Sequence, residues 1–217
     1  MAKIYLILII AFPSILGMLG YLLRKQNPEY LTFYSYFFLL SAITEIAAIY
    51  VMLRYHNNLY VYNAFNIIKF GFHMWWFHKF FRVGFSVRVF IAAVGIFLYG
   101  IVEFSIFRSA NHFSTFRLLA QSATIYLAAS WLLHHLLYLA SNSIQDRQFY
   151  FFMVVLLFGF CISTFFMITL TALVVLTNEM KLALWQIFKF LLIFNYIMFI
   201  VAYIFPRIIK SRIPTLT

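Results

Sequence analysis

Charge is what this sequence lacks most. Only 10% of its 217 residues are charged, and five are acidic, against roughly a quarter charged in soluble globular domains. That scarcity excludes a soluble enzyme. A single cysteine, Cys161, excludes an intrachain disulfide scaffold. Four prolines and seven glycines are too few for a low-complexity linker, and no loop is long enough to fold as a soluble domain. Intrinsic disorder is excluded by the opposite excess: 65% of the residues are apolar and 22% aromatic, 29 of them Phe. Mean hydropathy is +0.96. These values define a polytopic membrane protein.

A membrane helix needs about 20 mostly apolar residues. Seven such runs are read, at 4–23, 30–53, 59–81, 87–107, 114–140, 149–176 and 182–205. They are apolar all round and too long for barrel strands, which alternate over about 10 positions. The expected fold is therefore all-α: one seven-helix transmembrane bundle over 1–205, followed by a short basic tail at 206–217. The first run lacks a small-x-small cleavage site and is followed by Arg24-Lys25, so it is read as a helix and not as a cleaved signal.

Lys and Arg are held on the cytoplasmic side. One set of loops and ends carries Lys3, Arg54, Arg108, Arg117 and Lys181. The other carries Arg24, Lys25, Lys79, Arg82, Arg88, Arg147, Arg207, Lys210 and Arg212. This bias predicts an outside N-terminus and a cytoplasmic C-terminus. The basic residues form no stripe, so a lipid bilayer is the expected partner and nucleic acid is not.

Charged groups within a span cost about 2.5–3.5 kcal/mol on insertion scales, so they face the bundle interior. Glu45, Lys69, Glu103 and Lys189 lie within runs, and Arg117 lies near the end of one. Glu45 and Lys69 stand 11 and 13 residues either side of His56 and should lie at one depth, which predicts a buried ion pair or a ligand or proton site. Glu103 and Arg117 should be level in the same way, as a second pair. Asn66, Lys69, His73 and Trp76 fall within about 80° on a helix, as do Arg117, Gln121, Thr124, Ala128, Trp131 and His135. Polar and small residues in such stripes pack against other helices, or line a pocket floored by Gln121 and Thr124. Lys69, His73, Gln121, Thr124 and Lys189, with Trp185 and Tyr196 as aromatic walls, are the candidate ligand-binding residues. Tyr30, Tyr60, Trp75, Trp76 and Tyr150 are expected near the interfaces.

Catalytic sets are poorly supported. His134 and His135 point about 100° apart and cannot chelate one ion together, no HxxxH or HExxH occurs, and no GxSG motif sits on a helix. No metal, cofactor or catalytic residue is expected. Cys161 reads as a packing residue beside the Gly159-x-x-x-Ser163 face. A mid-span lysine in the seventh run, Lys189, resembles the retinal lysine of microbial rhodopsins. The third run, however, offers Asn66, Lys69 and His73 where those proteins supply a carboxylate counterion.

The stretch from Glu45 to Phe70, EIAAIYVMLRYHNNLYVYNAFNIIKF, together with Trp185 and Asn195-Tyr196, resembles a group of uncharacterised seven-helix proteins of Bacteroidota. The resemblance implies a protein of the inner, cytoplasmic membrane and points towards signalling components. Three function classes follow. The first is a receptor-like or accessory sensing module acting through a membrane protein partner or homo-oligomer. The second is a small channel or transporter for a polar or anionic solute, and the third is an enzyme acting on lipid.

Overall fold

A computed structural model describes residues 2–80, 86–106, 115–138, 144–172 and 178–212 of the protein. These residues form seven helices: α1 (Ala2–Leu22), α2 (Glu29–Tyr55), α3 (Leu59–Phe80), α4 (Val87–Ile106), α5 (Thr115–Tyr138), α6 (Ile144–Ala172) and α7 (Asn178–Arg212). Stretches of α2, α4, α6 and α7 are long and apolar enough to cross a membrane, which makes the chain an integral membrane protein. Seven helices are present among the described residues, and four of them are apolar enough to span. With 22 and 24 residues, α3 and α5 are also long enough, but each carries a polar stripe that lowers its hydropathy. The basic tail expected at 206–217 continues as helix to Arg212, and residues 213–217 lie outside the described residues.

Local chemistry sets the tight α2–α3 connection. Glu29 places a carboxylate in the first turn of α2, where the helix dipole favours it. The same helix ends at His56 in the left-handed region, φ 56° and ψ 13°, with the His56 N–H donating to Met52 O. That closure satisfies a terminal carbonyl. Asn57 Oδ1 then accepts from the Leu59 N–H at 3.0 Å and caps the start of α3.

Each helix packs on its sequence neighbours, α7 returns to α1, and α3 also reaches α5. Close α1–α2 contact depends on small residues: Gly17 faces Leu39, and Gly20 faces Ser35 so tightly that no Cβ fits. Between α1 and α7 the helices run parallel, since Phe12 stacks on Tyr196 and Gly20 lies by Tyr203.

The core is aromatic. The ring of Tyr34 lies within 5.1–6.2 Å of Trp76, Phe152, His73 and Phe199, which come from three other helices. Trp76 is fully buried in the bundle, and its indole N–H donates to the Tyr30 carbonyl at 3.0 Å. Trp75, one residue before it, is the exposed member of the pair. Tyr203 closes the same region by donating its hydroxyl to Leu31 O at 2.8 Å.

Candidate functional site

The polar residues that a membrane helix should not carry gather in the middle of the bundle. Lys69 is 10 residues from the start of α3 and 11 from its end, about 15 Å from either. It borders two cavities. The smaller, about 20 Å3, lies between α3, α5 and α6 and is lined by Lys69, His73, Arg117, Gln121 and Thr124 among others. Its volume fits one water molecule. The larger, about 130 Å3, lies between α2, α3, α6 and α7, and its polar lining includes Lys69, Ser41, Ser163, Asn195 and Tyr196. Among the described residues no acidic side chain lines either cavity.

Hydrogen bonds hold this cluster in place. His73 Nδ1 lies 2.7 Å from Lys69 O and His73 Nε2 lies 2.9 Å from the Tyr34 hydroxyl. A carbonyl only accepts, so Nδ1 carries the proton, and in the neutral ring Nε2 accepts from Tyr34. Gln121 joins α5 to α6: its Nε2 donates to Ser163 Oγ at 2.7 Å, and its Oε1 accepts from Thr164 at 3.2 Å. Thr124 returns its hydroxyl to Ala120 O at 2.7 Å. The Lys69 ammonium lies over the Phe160 ring, 5.5 Å from its centroid.

Neither expected ion pair forms. Glu45 Oε2 accepts instead from the Tyr62 hydroxyl at 2.8 Å, a partner seven residues, about two turns, from Lys69. Glu45 and Lys69 do not pair: Glu45 bonds Tyr62, and Lys69 borders cavities shared with α5, α6 and α7. Glu103 does reach α5, through its backbone: Oε2 accepts from the Phe116 N–H at 2.8 Å. A carboxylate there meets an orphan N–H of the first turn and the positive end of the helix dipole, which explains why it bonds the helix end in preference to Arg117. Among the described residues an ion pair forms between Lys79 and Glu29 at 3.0 Å, near the C-terminal end of α3.

Of the seven residues expected to bind a ligand, Lys69, His73, Gln121 and Thr124 converge on the small cavity, and Tyr196 joins Lys69 at the large one. Trp185 and Lys189 stand apart from both linings. Trp185 packs on Phe166 and Phe188, and the Lys189 ammonium lies 5.4 Å from the Trp185 ring centroid. The i, i+4 spacing keeps that cation on its own helix. Asn195 was legible only as part of a resemblance. Tyr34 carried no signal that separated it from the other tyrosines. Cys161 is exposed and packs in no core. His135 lies at a position whose side chain is outside the described residues.

Among the described residues no group of three or more His, Cys, Asp or Glu is placed to hold a metal ion. No protein-family model, curated protein or solved structure matches the chain.

Proposed function

We propose that this is a non-catalytic, receptor-like or accessory sensing module of a bacterial inner membrane that binds an anionic solute at Lys69 and acts through a membrane protein partner or a second copy of itself. All seven helices span the bilayer in this reading, with the N-terminus outside and the basic C-terminus in the cytoplasm, as the Lys and Arg distribution favours. Kinship with the Bacteroidota seven-helix proteins is part of the same proposal.

The observation that carries the reading is the uncompensated ammonium at mid-bundle. Among the described residues Lys69 has no acid or hydrogen-bond acceptor paired with its ammonium, yet it borders two cavities that also present Gln121, Ser163, Asn195 and Tyr196. Burying such a charge costs several kcal/mol unless a counter-charge arrives, and a bound anion supplies one. One feature favours a second reading as a small transporter: polar groups lie on both sides of Lys69, as a stepping site across the bundle requires.

Titrating the protein in lipid nanodiscs with acetate and sulfate, by calorimetry, tests the first reading. Saturable binding lost in Lys69→Met supports it, and no Lys69-dependent binding of either anion or of benzoate, titrated alongside them, refutes it. Anion flux into proteoliposomes, abolished by the same change, would move the assignment to transport.

A further inference from the structure

Asn195 is 6% exposed, and its side-chain oxygen is buried with no hydrogen-bond donor among the described residues. A buried carboxamide oxygen without a donor is costly and rare in native structures. It borders the 130 Å3 cavity together with Lys69, whose ammonium makes no hydrogen bond or ion pair among the described residues. Gly159 is the reason the amide fits, since a Cβ there would approach the Asn195 nitrogen to 2.5 Å. The rest of the wall is mainly aromatic, with Phe37, Phe160, Phe188 and Tyr196 among its rings.

We infer that this cavity is a binding site for a small aromatic monocarboxylate bearing a ring hydroxyl or amino group. This rests on the anion-binding reading above and specifies its ligand. Each part of the class answers an observation. The carboxylate supplies the counter-charge that Lys69 lacks. The ring substituent, which both donates and accepts, meets an Asn195 carboxamide that offers both an acceptor and a donor. An aromatic ring matches the walls and the size, because a cavity of this volume is comparable to apolar cavities that take up benzene. A longer acyl chain would exceed it, and a bare inorganic anion would leave the aromatic wall and Asn195 unmet.

The test uses the full chain in nanodiscs and 4-hydroxybenzoate as the probe, with benzoate, phenol, decanoate and acetate for comparison. Expected is saturable binding of 4-hydroxybenzoate, weakened roughly tenfold or more when the carboxylate is absent (phenol) or in Lys69→Met, and several-fold when the hydroxyl is absent (benzoate). Asn195→Ala should abolish the preference for 4-hydroxybenzoate over benzoate. That relative readout also guards against a variant that is merely less well folded. Phenol binding as tightly as 4-hydroxybenzoate, or decanoate binding more tightly, overturns the inference. Acetate binding as tightly as 4-hydroxybenzoate, in a Lys69-dependent way, overturns the aromatic class but leaves the anion-binding reading standing. No Lys69-dependent binding of any carboxylate removes both.

Discussion

Replacing Lys69 by methionine should stabilise the ligand-free protein, a sign opposite to that of a broken ion pair. A lysine at the centre of a membrane helix costs about 2.5–3.5 kcal/mol on insertion scales. The contact with Phe160, with the ammonium 5.5 Å from the ring centroid, returns about 0.5–2 kcal/mol of that. Arg117, on the same small cavity, adds like-charge repulsion. Methionine has nearly the same length and no charge, so the net gain should be about 1–2 kcal/mol. Had Glu45 been the partner, the same substitution would strand a carboxylate and cost about 3–5 kcal/mol. The assay is reversible unfolding by steric trapping in bicelles, run as a double-mutant cycle with Glu45→Gln. Because Glu45 is bonded to Tyr62, the two changes should add to within about 0.5 kcal/mol. A loss of stability above about 1 kcal/mol in Lys69→Met, or a coupling energy of that size, would refute the reasoning.

Glu103→Ala should destabilise the protein by about 1.5–3 kcal/mol, through loss of a charge-assisted bond to the first turn of α5, and Glu103→Gln by less; equal effects would show that the negative charge is irrelevant. Gly100→Ala should cost about 1–3 kcal/mol, since its Cβ would come within 2.5 Å of Phe116, whereas Gly95→Ala, with open space at its Cβ, should not lower thermal stability. Trp76→Phe should lose about 1–3 kcal/mol through the lost indole hydrogen bond to the Tyr30 carbonyl and the smaller ring in a full core, and Trp75→Phe much less. In a Cys161→Ser background, a cysteine at position 3 should react with an impermeant maleimide from outside the cell and one at position 25 only after the membrane is opened; the reverse pattern overturns the assigned orientation.

Which polar residues sit within the helices was legible in the sequence, and which of them meet was not. Counting residues from a tight turn puts Glu45 and Lys69 near one level, yet Glu45 bonds Tyr62, two turns from Lys69. Whether it would meet Lys69 depended on the rotation of two helices about their own axes. That rotation is set by aromatic packing around Tyr34, which no single residue announces. Helical stripes did better. Lys69 and His73 share a face of α3, and Gln121 and Thr124 share one of α5, and these faces do converge. Each stripe constrains its own helix, and a polar face has few places to go in a bilayer. Lys189 lines neither cavity, and its ammonium lies by the Trp185 ring one turn away, a placement that its spacing alone did not reveal. Trp76 shows the limit of composition-based placement, since only its distant partner, the Tyr30 carbonyl, distinguishes it from its exposed neighbour Trp75.

The parallel contact between α1 and α7 has a consequence for how the molecule is made. Ribosomal synthesis delivers helices in order, and the most extensive contacts besides α1 with α7 join consecutive helices. The contacts of α1 with Tyr196 and Tyr203, and that of Tyr203 with the Leu31 carbonyl, wait for the last helix. Until then Gln148, which is fully buried and donates to Ala202 O at 2.9 Å, has no such acceptor. The nascent protein therefore carries an open flank of unmet polar groups between its first and sixth helices. A quality-control protease or insertion chaperone that recognises polar surface within the bilayer would find its target there, and arrival of the seventh helix would conceal it.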